Sequence, residues 1–166
     1  KQLIIPVIRF ESPVIFVERR PDNSLNILDF LTGKSVSDAK NNFSVLVYKI
    51  SVTDAHIDFQ DDTVTPIFTK QIDNLSLFLS LSLPAKAKFK LECEIPDDLL
   101  IRISSSGEYN ITRKELTAKI IARDLSPKGF LSYYKNFGFS IPEGAIDALI
   151  NLRLKDEFLN ADLEAQ

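Results

Sequence analysis

Apolar and polar residues alternate along most of this chain. From Leu75 to Ile95 every odd position is apolar, and the even positions are polar apart from Phe78 and Pro84. Alternation with period two predicts a strand with one dry face and one wet face. Twenty-one residues at about 3.3 Å each would make a strand of about 70 Å, far longer than usual. Pro84 cannot donate to a ladder, so a turn near Leu83–Lys86 splits the stretch into two strands. The same pattern recurs from Leu46 to Thr53, Ala55 to Gln60, Leu116 to Arg123, Ile146 to Lys155 and Leu159 to Ala165, and in shorter form at Val7–Phe10 and Val14–Glu18 around Pro13. These segments predict a mainly β fold: a largely antiparallel sheet, mostly meander, with one wet face and one dry face.

Helical signals are few. Asn23-Ser24 ahead of Leu25–Leu31 reads as an N-cap and a short helix stopped at Gly33. Ser126-Pro127 ahead of Lys128–Phe137 reads as a cap with proline at the first helical position, stopped at Gly138. Lys34–Asn42 is polar and reads as a flexible connection. Eight or so strands each present a dry face, and two short helices cannot cover them all. The sheet must close on itself, pack on a second sheet, stack on neighbouring segments of a longer protein, or hold an apolar ligand.

Composition narrows the choice. The chain has 166 residues, enough for one domain (1–166) with a core of its own. It is 45% hydrophobic, with 12 Phe and no Trp, so there is ample apolar side chain for an uncovered face. The net charge of −3 lacks the basic excess of a nucleic-acid binder. The apolar runs are far shorter than the roughly 20 residues that span a bilayer. There is no methionine, not even an initiator, which reads as a segment of a longer protein with any membrane attachment lying outside it.

Chemistry-bearing residues are sparse. Cys93, the single cysteine, sits on the apolar stripe and reads as a small hydrophobe; it can form no intramolecular disulfide. His56 is the single histidine and reads as a solvated strand residue, since one His without Cys is a poor metal site. Asp58, Asp61 and Asp62 lack the spaced acidic loop with glycine that calcium needs and read as a charged turn. Lys86, Lys88 and Lys90 form a basic stripe followed directly by Glu92 and Glu94, which suits a soluble surface or edge. Three sequons, at Asn42, Asn74 and Asn110, read as chance matches. No phosphate loop, zinc-protease helix or nucleophile elbow occurs, so neither catalysis nor a cofactor or metal is assigned.

Two stretches carry a resemblance. Ile8-Arg9-Phe10-Glu11-Ser12-Pro13-Val14-Ile15-Phe16-Val17-Glu18 runs into Asp22-Asn23-Ser24-Leu25-Asn26-Ile27-Leu28. Tyr48–Asp61, ending in Phe59-Gln60-Asp61, is followed by Thr65-Pro66 and the long alternating strand. Tyr133-Tyr134 and Ile141-Pro142-Glu143-Gly144 extend the pattern. The chain resembles the AsmA-like proteins of the bacterial envelope, in their domain-of-unknown-function branch, with Asn23 and Cys93 where the family often has glycine. The resemblance implies kinship with bridge-like lipid-transfer proteins, anchorage at the inner membrane and extension into the periplasm. It also implies a long, curved, groove-like amphipathic sheet, whose apolar concave face shelters phospholipid or other acyl chains.

The expected lipid-contacting residues are Leu77, Leu79, Leu81, Phe89 and Leu91, with Ile120, Ile150 and Leu152 from later strands. The alternative is a structural or assembly module of the envelope, whose apolar faces stack on neighbouring segments or partner proteins.

Overall fold

The structure is a computed structural model that describes residues 2–27, 44–82, 85–135, 144–155 and 158–166. Its strands are β1 (Gln2–Ile5), β2 (Ile8–Glu11), β3 (Val14–Arg19), β4 (Ser44–Val47), β5 (Lys49–Asp61), β6 (Phe68–Ser82), β7 (Lys86–Ile95), β8 (Ile101–Asn110), β9 (Glu115–Leu125), β10 (Ile146–Lys155) and β11 (Phe158–Ala165). A 3₁₀ turn, Pro127–Phe130, continues into the short helix α1, Leu131–Tyr134.

Strands β5 to β11 follow one another across a single curved sheet as an antiparallel meander, not closed into a barrel. The anticipated turn lies where it was placed, between Ser82 and Lys86. The edge departs from the meander. Strands β2 and β3 run parallel to β5, and β1 runs parallel to β4. Tyr48 stitches these pieces together, its N–H donating to the Ile5 carbonyl and its own carbonyl accepting from Leu81. Residues 2–19 therefore form one interrupted edge strand. Of the two expected helices, the second begins at Pro127 as anticipated and is helical through Tyr134. The first, beyond residue 27, and the polar 34–42 connection lie outside the described residues.

A row of bulges crosses the sheet. Ser12, Asp54, Asn74 and Asp124 each take positive φ, of 48°, 54°, 51° and 57°. These short polar residues tolerate the left-handed region best after glycine. Register shifts mark the row in β5, β6 and β9. Side chains bridge it: Ser12 Oγ donates to Asp54 at 2.8 Å, Asn74 to Glu94 at 2.6 Å, and Arg102 to Asp124 at 3.2 Å. Bulges bend strands and sharpen twist. Here they separate two regions of the dry face.

On one side of the row the dry face is covered. Phe68 of β6 stacks on Phe130 at 5.6 Å and meets Tyr133 edge-on at 4.9 Å, so the helical segment lies across this end. Lys70 pairs with Asp97 at 2.6 Å beneath Gly129, where a Cβ would collide with the Asp97 carboxylate. The buried hydrophobic residues among those described are Ala55, Phe68, Leu75, Cys93, Ile95 and Ile101, all at this end or along the bulge row. On the other side the dry-face side chains are half-buried along β6 to β10 and exposed on β11.

Strand β8 is the element that alternation does not reveal. Its dry positions are Ile103, Ser105, Gly107 and Tyr109. Gly107 lies opposite Phe89, and a Cβ on it would fall 2.7 Å from the Phe89 ring and collide with the Thr117 carbonyl oxygen. The ring occupies the space the glycine leaves. Gly→Ala within a strand ordinarily gains about 0.5–1 kcal/mol from chain entropy. Gly107→Ala should instead lose roughly 1–3 kcal/mol, because a backbone atom must move. A thermal melt reads the sign.

Candidate functional site

The expected lipid-contacting residues all fall on one face, in adjacent registers. One row across the sheet runs Val52, Leu77, Leu91, Ser105, Ile120, Ile150 and Leu163. The next runs Ile50, Leu79, Phe89, Gly107, Ala118, Leu152 and Ala161, and a third begins at Leu81 and Ala87. Neighbouring strands lie about 4.8 Å apart, so each seven-strand row extends roughly 30 Å. Side chains along β6 to β10 in these rows are half-buried. The described strands pack side by side, and no second sheet covers this face among the described residues.

The small residues in the middle rows, Ala87, Gly107, Ala118 and Ala148, lower the floor between the leucines. Ser105 and, in the third row, Tyr109 set polar groups into it. The opposite face carries Lys86, Lys88, Lys90, Glu108, Lys119 and Arg153. Lys86 donates to Glu108 at 2.5 Å, which holds that carboxyl below its ordinary range. Lys90 pairs with Glu92 at 2.8 Å. Lys88 lies 4.0 Å from the other oxygen of Glu108, so all three members of the basic stripe are matched by neighbouring carboxylates. Phe78, out of phase in the sequence, stands exposed on this polar face. Open hollows are also found on the polar side: one of about 400 Å³ at the bulge row, against Asn74, Glu94, Arg102 and Arg123, and one of about 610 Å³ along β9 to β11.

The chemistry-bearing residues fall into place differently from a solvated reading. His56 is held between two carboxylates: Nδ1 bonds Asp73, and Nε2 lies 3.3 Å from Asp58. The bond to Asp73, followed by the pull of Asp58, raises its pKa above 6.5 in spite of partial desolvation. Cys93 is buried in the cluster with Ala55 and Leu75, as expected for a small hydrophobe. Burial, then the nearby Glu94 charge, pushes its thiol up and away from the reactive thiolate.

Asp58, Asp61 and Asp62 do not converge. Asp58 bonds His56, Asp62 accepts from Gln60 at 2.8 Å, and Asp61 is the surprise. Its side chain is 1% exposed. It accepts from Thr63 N–H at 2.8 Å, Thr63 Oγ1 at 2.5 Å, Tyr133 Oη at 2.8 Å and Arg19 at 3.3 Å. Among the described residues no group of three His, Cys, Asp or Glu side chains is arranged to hold a metal. The two sequons within the described residues are occupied locally, Asn74 donating to Glu94 and Asn110 accepting from the Arg113 N–H.

Sequence reasoning missed Asp61 as a buried node. The signal was parity: Asp61 continues the alternation of Ala55, Ile57 and Phe59 onto the dry face. Its partners explain the spacing: Asp61 ties the β3 edge, through Arg19, to the helical cap, through Tyr133. No helix among the described residues is long and apolar enough to cross a membrane. No family model, curated protein or solved structure matches the chain.

Proposed function

We propose that the chain is a non-catalytic segment of an AsmA-like envelope protein that binds or conducts lipid acyl chains along its apolar face. One observation carries this reading. A contiguous field of leucine, isoleucine, phenylalanine and alanine, about seven strands wide, lies on one side of a single sheet with no second sheet over it among the described residues. Each CH₂ moved from water onto such a surface contributes about 0.8 kcal/mol, so an acyl chain needs no specific polar partner there. The headgroup would stay at the rim, in water. The covered end, where α1 crosses the face, would stop a chain; at the opposite end, beyond Ser82, Asn110 and Lys155, no described helix crosses the face. By its resemblance the segment belongs in the periplasm, tethered to the inner membrane through chain lying outside these 166 residues.

The test is native mass spectrometry of the purified chain, with lipid extraction beside it. Phospholipid should co-purify near one-to-one and exchange for a fluorescent fatty acid. Absence of both the co-purified lipid and the exchange would overturn the reading. A structural or assembly module remains the second reading, favoured by one feature: the apolar rows do not stop short of the β11 edge but run out to it, with Leu159 63% and Leu163 65% exposed.

A further inference from the structure

Two departures from the wet-face pattern meet at one place. Arg102 of β8 and Arg123 of β9 stand directly opposite each other in the ladder. The Cβ atoms of such facing residues are about 5 Å apart, and like charges so placed repel. Beside them, Ile121 and Leu149 fall out of phase with their strands and face each other across β9 and β10, setting an apolar pair on the polar side. Arg102, Arg123 and Ile121 line the hollow of about 400 Å³ at the bulge row, together with Ser104.

The carboxylates around this hollow already have partners. Glu92 lies 2.8 Å from Lys90. Glu94 accepts from Asn74 at 2.6 Å and lies 3.9 Å from Arg102. Asp124 accepts from Arg102 at 3.2 Å, and Asp147 accepts the Asp124 N–H at 3.0 Å. Arg102 is thus shared between two carboxylates. The exposed Arg123 side chain has no ion pair or hydrogen bond among the described residues. Repulsion between the two guanidinium groups costs stability, and no described protein group offsets it at Arg123. An anion between them would.

We propose that the two arginines clamp the phosphate of a small, soluble phosphate monoester, whose organic body lies on Ile121 and Leu149. The site is on the face opposite the acyl-chain field and does not depend on lipid binding. A guanidinium presents a fork of parallel N–H groups that matches one pair of oxygens. A carboxylate has two oxygens and satisfies one fork. A phosphate monoester has three terminal oxygens and nearly two negative charges at neutral pH, so it engages both forks at once. The Ser104 hydroxyl, in the same hollow, can donate to the remaining oxygen lone pairs. The apolar pair next to the arginines favours an ester with an apolar body over inorganic phosphate.

The experiment is calorimetric titration of the 166-residue chain with phenyl phosphate, inorganic phosphate and benzoate, with thermal melts beside it. Phenyl phosphate should bind about tenfold more tightly than inorganic phosphate, through the apolar contact. Benzoate should bind more weakly than phenyl phosphate. Present at about ten times its Kd, phenyl phosphate should raise the melting point by about 3–6 °C. Arg123→Gln should weaken both phosphates by about tenfold or more. In ligand-free buffer the same variant should melt about 1–2 °C above wild type, because the like-charge pair is gone. Arg123→Lys keeps the charge without the fork, and its affinity should fall between. Ile121→Thr should spare inorganic phosphate and remove the advantage of the phenyl ester. Failure of both phosphates to bind, or benzoate binding as tightly as phenyl phosphate, would overturn the proposal. So would an Arg123→Gln chain that binds as wild type or melts below it. Displacement of phenyl phosphate by vesicles of phosphatidic acid would also overturn it, by giving the arginines to a membrane headgroup.

Discussion

Asp61→Ala should lower the stability of this protein by about 3 kcal/mol, and so its melting point by about 10 °C for a domain of this size. The carboxylate is the most completely buried charged group described, and four donors converge on it. A hydrogen bond to a charged acceptor is worth about 1.5–3 kcal/mol. Full additivity would give more than the figure above. Arg19 and Tyr133, however, are each more than a third exposed and can recover water when the carboxylate goes. Tyr133→Phe removes one donor and should cost about 1–2 kcal/mol. Asp61→Asn keeps the shape but not the charge and should fall between.

The pH dependence has a definite sign. Burial alone would push the Asp61 carboxyl up, but the bonds from Thr63 and Tyr133 and the Arg19 charge outweigh it and hold its pKa below 3.8. A depressed carboxyl stabilises fully above its unfolded value, and that contribution is lost as pH falls from 3.8 through the folded value. Its partner moves the other way: burial, then the hydrogen bond to Asp61, lifts the Tyr133 hydroxyl to about 12. Thermal melts from pH 7 down to pH 2 should show a steeper acid limb in wild type than in Asp61→Asn. Equal slopes would mean the carboxylate is not the node drawn here.

Most of the sheet was legible because its strands obey one rule. Strands β6, β7, β10 and β11 alternate cleanly, and a face that is dry on one side and wet on the other can be written in no simpler way. Strand β8 was hidden because its dry positions hold serine and glycine. The apolar surface over Gly107 is supplied by Phe89 from the neighbouring strand, and period-two reasoning within one strand cannot see a loan from the next. The parallel edge was hidden for a different reason. Alternation fixes which face a residue takes but not the direction of its partner, and β2 and β3 alternate no differently for lying parallel to β5. Asp61 reads as a turn residue because its decisive partners are 42 and 72 positions away. The bulge row shows itself only as a scatter of Asp, Asn and Ser among strands, common residues whose alignment across β5, β6 and β9 appears once the registers are known.

The dry rows themselves admit a decisive substitution. Leu79→Asp should leave the protein folded, with a melting point lower by only a few degrees, while acyl-chain binding falls at least tenfold. Leu79 is half-buried in the middle of the field, between Ile50 and Phe89. Full burial of a leucine is worth about 1.5–3 kcal/mol, and only part of that is at stake here. Leu79 keeps partial solvent contact, so the carboxylate is not stranded as it would be in a closed core. In the loaded protein the same carboxylate would lie against hydrocarbon, and its desolvation falls entirely on the bound state. Two substitutions bracket this result. Ile101→Asp buries a charge at a 0% exposed site beneath the covered end and should prevent folding. Phe78→Asp places the same charge on the opposite face and should change neither the melt nor the binding. A Leu79→Asp chain that fails to fold would identify the field as a packed core. One that melts and binds as wild type would move the lipid off this face altogether.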